Sequence, residues 1–509
     1  MRRADVRTVA ALAGLLTTVS SAASEGPNLD GDRVTQEQIT SGALSLDEIR
    51  LAGRRMFITP FNKQDGHGDG PPGLAPADRR EPGSRTTLQE NGVFLRVNGL
   101  DAQTCLECHS IVSAATLPFT FGIGGVGSLN NVAIGFGGAS FININDDPLQ
   151  VTDPDGHDSI GRRNINGRVI NPPFVFGAGA VELLAKEMTR DLQALRARIQ
   201  GQPNASIELV TKGVRFGTLS TDAQGDVLTG ADGKAADVEG IEADPQSPLF
   251  LVVQPFGRKG EVDTTRTFDV GAFQFHLGMQ PAEAVGQGVD ADGDGITNEI
   301  QVGELSALSI FLATTDRPEQ RAPQDPAERP LARRGERFFE QIGCTDCHRP
   351  TLAAQSPWLT LSFPQVPQNP DANVYYRIDL TRPPMRFPAN SQGGTDVPLF
   401  ADLKRHDMGP GLAEFNGDAM FTTARLWGVA DSAPYLHDGR ALTLTDAILM
   451  HGGEGSEAAP AVARYKTLAA GDKDAIIAFL GTLHTPRNPG ADLARLAAQA
   501  NRQGPRRRP

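Results

Sequence analysis

Two short stretches hold every cysteine in the chain. Cys105-Leu106-Glu107-Cys108-His109 and Cys344-Thr345-Asp346-Cys347-His348 share one pattern, and no cysteine stands outside them. Two thiols separated by two residues can be a redox dithiol, a metal pair or the attachment point of a c-type haem. The histidine that follows each pair selects the last. Two thiols add to the haem vinyl groups as thioethers, and the adjacent histidine ligates iron from the proximal side. A redox dithiol has no need of that histidine. The pattern implies two covalently bound haem c groups, on Cys105, Cys108 and His109 and on Cys344, Cys347 and His348. With all cysteines so committed, none is left for a disulfide or for thiol chemistry.

Other residues have types and spacing suited to ligation. The segment Ala433-Pro434-Tyr435-Leu436-His437-Asp438-Gly439-Arg440 precedes Thr443 and Asp446, a pair with capping-box spacing. The helix predicted there runs through Ile448 and Met450 to His451 and stops at Gly452-Gly453. A histidine at that end can reach a haem iron or simply complement the helix dipole. Met408 and Met450 compete with His451 as a second ligand. His276, in Phe273-Gln274-Phe275-His276-Leu277-Gly278-Met279, has apolar flanks that suit a distal ligand, a catalytic histidine or a buried structural one. Asp290-Ala291-Asp292-Gly293-Asp294-Gly295-Ile296-Thr297-Asn298-Glu299 has the look of a calcium loop. Carboxylates come from Asp290, Asp292 and Asp294, a glycine makes the turn, and Ile296 offers a carbonyl and Asn298 an amide. Gln301 stands where such loops have a bidentate glutamate, so Glu299 must substitute or affinity must fall.

These motifs need elements to position them. Leu46 to Phe57 and Leu331 to Ile342 each have helical apolar spacing, a glycine and an aromatic, and each leads toward a cysteine pair. Ala180 to Ile199 is predicted as an amphipathic helix with Val181, Leu184, Met188, Leu192 and Leu195 on one face. Asp472 to Leu483 is a closing helix. The Gly-rich stretch Phe121 to Asn145, and Ile207 to Val252, read as turns and short strands. Gly122, Gly124 and Gly127 match a dinucleotide fingerprint by letter, but no helix follows them. The expected fold is mainly α, with two cytochrome c-like haem domains and a β- and loop-rich insertion in the first. The expected bounds are 40–317 and 331–487, with a Pro-rich linker at 318–330 and a flexible tail at 488–509.

Residues 1–23 read as a cleaved signal peptide. Arg2, Arg3 and Arg7 precede a short apolar stretch, and Ser20-Ser21-Ala22-Ala23 forms a small-residue cleavage zone. The stretch is too short to span a bilayer, and no later one is apolar enough. The expectation is an exported, periplasmic protein that does not span the membrane. A net charge of -13 argues against a nucleic-acid partner.

The second half resembles a known family. Pro434-Tyr435-Leu436-His437-Asp438-Gly439-Arg440, Leu426-Trp427-Gly428, His406-Asp407-Met408-Gly409-Pro410-Gly411-Leu412 and His451-Gly452-Gly453-Glu454 look like the di-haem oxidoreductase (thiol oxidoreductase-like) family. That family is related to the bacterial di-haem cytochrome c peroxidases. The first half adds Asn171-Pro172-Pro173-Phe174 and Pro255-Phe256-Gly257-Arg258-Lys259-Gly260, a looser likeness. The resemblance implies that His451 takes the distal position on the His348 haem, where the peroxidases usually have methionine. It implies that the His109 haem is the reactive one, with Glu182 as acid/base, and that His437 holds a haem propionate or its loop. It implies electrons from a small redox protein, of cytochrome or cupredoxin type, and a small oxidant such as peroxide. A pure electron-transfer cytochrome and a di-haem oxygenase or protein-modifying oxidase are the alternatives. The peroxidases place a tryptophan between their haems. Trp358 and Trp427 both lie in the C-terminal unit, so a relay here would use another residue or direct haem proximity.

Overall fold

The computed structural model of the chain describes residues 27–29, 33–67, 87–88, 93–96, 99–100, 104–109, 130–136, 149–151, 163–170, 172–413 and 418–496. The signal segment, Gly122 to Gly127 and most of the 488–509 tail lie outside these residues, as do the side chains of Cys108 and His276.

Two helix crossings organise the chain, and both are built the same way. The helix Leu46–Ile58 starts at a capping box between Ser45 and Glu48. Ile49, Gly53, Met56 and Phe57 form its buried face, at the spacing that puts residues on one side of a helix. It crosses the helix Val302–Ala313 where Gly53 lies on the carbonyl of Ala307, leaving no room for a methyl group. The helix Arg329–Gln341 has Pro330 in its first turn, where a missing N–H costs nothing. It crosses the helix Ala470–Leu480 with Gly335 on the carbonyl of Ala475, again too close for a side chain. The closing helix read at 472–483 is thus Ala470–Leu480. Its counterpart in the first unit, Val302–Ala313, had no sequence signal because it is apolar and buried nearly all round.

The helix Ala178–Ile199 joins the two units. Gly177, at φ 70°, turns the chain into it, and Gly179 packs on the carbonyl of Ala313. It contacts the antiparallel sheet formed by Ser206–Thr211, Val214–Ser220 and Asp237–Val238. It also contacts the strands Leu352–Ala354 and Trp358–Ser362 of the second unit. Glu187 caps the backbone N–H groups of Gln355 and Ser356 and pairs with Lys212 at 2.5 Å. One apolar cluster therefore runs from Ile49 and Leu184 through Phe216 to Leu359, Ile378 and Trp427.

Helices dominate the parts around the two cysteine pairs, but strands are spread more widely than expected. Short antiparallel pairs also occur in the second unit, at Leu352–Ala354 with Thr395–Val397, Trp358–Ser362 with Val374–Asp379, and Arg405–Asp407 with Met420–Thr422. The β-rich insertion is thus not confined to the first unit. Residues 318–330 are also more than a spacer. Glu319–Gln320 pairs with Leu483–His484, and Arg321 reaches the Thr485 carbonyl. No helix among the described residues is long and apolar enough to cross a membrane.

Candidate haem centres

The first cysteine pair sits on a single helical turn, Cys105–Cys108, fixed to the end of the Leu46–Ile58 helix. Thr104 caps the turn by accepting from the Leu106 N–H at 2.9 Å and donates to the Phe57 carbonyl at 3.0 Å. Cys105 packs on an apolar group that includes Met56, Phe57, Phe273, Met279 and Phe311. His109 follows. Its Nδ1 lies 3.0 Å from the carbonyl of Pro173, and Phe268 meets its ring edge-on at 6.5 Å. Burial lowers its pKa.

The second pair follows the Arg329–Gln341 helix directly, after Gly343 at φ 85°. The Nδ1 of His348 lies 3.0 Å from the carbonyl of Phe400. Opposite stands His451, the residue that caps the Leu444–Met450 helix, with its Nδ1 2.7 Å from the carbonyl of Ala447. The two ring centroids are 6.5 Å apart, inclined at 55°. A carbonyl can only accept, so each Nδ1 carries the proton and each Nε2 keeps its lone pair. Burial keeps both rings neutral, lowering His348 to about 4 and His451 in the same direction. A metal bound to two imidazoles at about 2 Å from each nitrogen sets their centroids roughly 6 Å apart. His451, rather than Met408 or Met450, holds the position facing His348. Met450 is largely solvent-facing at 38% exposure, and Met408 lies just past the Arg405–Asp407 strand.

These donors fit a covalently held haem. Each described proximal histidine has its tautomer set by a carbonyl, the usual outer support of a ligating imidazole. Burial pushes the Cys344 thiol up to about 12, far from the range of a reactive thiolate.

Other predicted residues land differently. Glu182 is 1% exposed. Its Oε1 pairs with Lys186 at 2.8 Å, and its Oε2 accepts from Thr265 N–H at 3.1 Å and Thr265 Oγ1 at 2.9 Å. Both oxygens are committed. Glu182 therefore braces the start of the Thr265–Ala272 helix rather than standing as a free proton donor. In that same helix, Asp269 carries a buried Oδ2 with no hydrogen-bond partner, and burial raises it well above the usual carboxylate range. It follows Phe268, the residue against His109. No sequence pattern singled it out, because a lone aspartate in a polar-looking helix has no signature. The His276 backbone lies in a π-helical turn, Phe273–Leu277, inside this apolar wall, and Met279 is fully buried there.

Two further arrangements were hidden in the sequence. His406 Nε2 lies 2.9 Å from Asp402, and its Nδ1 lies 2.7 Å from Glu457 and 3.8 Å from Cys347 Sγ. Burial opposes charge on His406, yet Asp402 and Cys347 override it and raise the pKa to about 11. A thioether at Cys347 carries no charge, so in the attached form the carboxylates remain the cause. Trp427 belongs to the second unit in sequence, yet it packs against the first. Its Nε1 donates to the Pro398 carbonyl at 2.6 Å, and its ring lies against Gly177. Pro398 is two residues before Phe400, which orients His348; Gly177 is four after Pro173, which orients His109.

Residues 388–483 match the model of a family described as "Di-haem oxidoreductase, putative peroxidase". The match falls on the stretch whose motifs resemble that family. A solved structure titled a MauG-like protein associated with microbial copper homeostasis is also similar. It is 15% identical, covers 59% of this chain and 89% of its own, and superposes with a TM-score of 0.25, too loose to carry any inference. No curated protein matches the chain.

Proposed function

We propose that the chain is an exported, periplasmic di-haem c-type oxidoreductase of peroxidase type. It would reduce hydrogen peroxide or a related oxidant with electrons from a small cytochrome or cupredoxin. The two haem groups, when bound, supply electron storage and the bond chemistry. The chain's own residues do the rest. Cys105 and Cys108, and Cys344 and Cys347, anchor the groups, and His109 and His348 ligate them. His451 closes the second site, which suits storing and passing an electron rather than binding an oxidant. Trp427 packs between the segments that orient His109 and His348, where an aromatic ring shortens the path between the two sites. Asp269, whose buried Oδ2 has no hydrogen-bond partner and whose pKa burial raises, follows Phe268, and His276 lies in the turn after that helix. Those two are the residues proposed to hold and move protons.

The observation that supports this reading is the facing pair His348 and His451, each with Nδ1 engaged by a carbonyl and Nε2 available, with His451 inside the stretch that matches the di-haem family. The test is turnover. The haem-loaded protein, given a reduced small cytochrome and hydrogen peroxide, should oxidise the cytochrome at a rate that depends on peroxide. Electron exchange with the cytochrome that is indifferent to peroxide would leave an electron carrier instead.

A further inference from the structure

The acidic loop that the sequence singled out forms a cage. Asp290, Asp292 and Asp294 each present a carboxylate oxygen, all within 4.8 Å of one another. The loop's own backbone sets this shape. Asp290 accepts from the N–H groups of Gly293 and Gly295 at 2.7 and 3.0 Å, and Asp294 accepts from Ile296 at 2.7 Å. Gly293 and Gly295 take φ of 74° and 91°, where a side chain would be strained. Asp292 is fully buried, and its Oδ2 has no hydrogen-bond partner.

A fourth carboxylate points to a ligand independently. Glu299 is 1% exposed, and its Oε1 is buried with no hydrogen-bond partner. Its Oε2 accepts from the Gln280 N–H at 2.7 Å, and the Gln280 side chain in turn accepts from Ala291 N–H at 2.8 Å. Glu299 is thereby tied to the loop. Burial above all, and then the charges of Asp292, Asp294 and Asp290, raise Glu299 to about 10. Asn298, expected as a ligand, instead accepts from the Gly288 N–H at 2.6 Å.

We propose that this loop is a calcium site, with Asp290, Asp292 and Asp294 as carboxylate ligands and Glu299 replacing the acidic group that such loops carry at their twelfth position. Four oxygen donors without nitrogen or sulfur suit a hard cation. The irregular loop suits calcium over magnesium, which demands near-octahedral order. A cation would neutralise carboxylates that otherwise repel one another. It would also tie together segments that meet at Glu299. Gly66 lies directly against its side chain, and Arg33 donates to its carbonyl at 2.6 Å while pairing with Glu304. The site does not depend on the haem reading.

The test uses the full haem-loaded protein, stripped with EDTA and titrated calorimetrically with calcium chloride, with magnesium chloride in parallel. Expected is one calcium site with Kd in the range of about 10⁻⁶ to 10⁻⁴ M, a rise in Tm on binding, and a loss of roughly tenfold or more in affinity for Asp292→Asn and for Glu299→Gln. Should either variant fail to fold, terbium luminescence of the unaltered protein, displaced by calcium, decides the matter. No binding and no Tm change at millimolar calcium would overturn the site. Unchanged affinity in a folded Glu299→Gln protein would overturn the part assigned to Glu299.

Discussion

The rings of His348 and His451 face each other with centroids 6.5 Å apart, each turned by a backbone carbonyl on its Nδ1. The elements that carry them are far apart in sequence. One follows the Arg329–Gln341 helix and the other ends the Leu444–Met450 helix. Bringing two buried neutral imidazoles face to face costs their solvation, a cost that a shared metal would offset.

The two glycine crossings should be intolerant of a single methyl group. Gly335→Ala places a Cβ on the Ala475 carbonyl, and Gly53→Ala does the same at Ala307. Each should cost at least about 2 kcal/mol through overpacking. Gly471→Ala, in the same closing helix but facing open space, should be neutral or stabilising by up to about 1 kcal/mol. Urea denaturation of the three variants checks the contrast.

Trp427 links the units by packing and by one hydrogen bond. Trp427→Ala should destabilise by about 3–5 kcal/mol by opening a cavity. Trp427→Phe keeps most of the packing but loses the bond to Pro398. It should slow electron transfer between the sites while leaving the visible spectrum of each unchanged. Rapid-mixing absorption spectroscopy after partial reduction reads that rate directly.

Glu182 should behave as a structural brace. Glu182→Gln leaves Lys186 charged and buried, its Nζ still reaching the Thr360 carbonyl, and should cost about 3–5 kcal/mol. Glu182→Gln combined with Lys186→Met should recover much of that loss. Recovery of stability with peroxide turnover intact supports the brace. Recovered stability with turnover abolished would restore Glu182 as the acid/base group.

His406 sets a pH dependence. With Cys347 uncharged as a thioether, Asp402 still raises the folded pKa of His406 above the roughly 6.5 of an unfolded histidine. The stabilisation His406 gains from Asp402 is complete below about pH 6.5. It declines as pH rises through the folded value, because the unfolded state releases its proton first. His406→Gln should lose about 2 kcal/mol at pH 7 and show a flatter alkaline limb. Tm measured from pH 6 to 10 compares the two.

The helices that precede the cysteine pairs, and the place of His451 opposite His348, were legible in the sequence because each has a local pattern. Sequence alone misjudged what depends on the fold. Val302–Ala313 is apolar on all sides and shows no amphipathic period. Trp427 seemed confined to one unit, although it packs on Gly177 of the other. Glu182, an acid/base by the resemblance, is paired with Lys186 and Thr265, and Thr265 is too distant in the chain for the sequence to show it. Asp402, His406 and Glu457 converge only through the Arg405–Asp407 strand and the turn after His451. Asn298 fitted a ligand template, and its side chain accepts from the Gly288 N–H, a contact that the sequence pattern did not foretell.

The central claim is that His348 and His451 ligate one iron between them. The direct measurement is the low-temperature EPR spectrum of the oxidised haem-loaded protein beside that of His451→Ala. The account predicts a low-spin bis-histidine signal in the unaltered protein that is lost in the variant, with a high-spin signal taking its place. An unchanged low-spin signal in His451→Ala would contradict it and move the second ligand elsewhere.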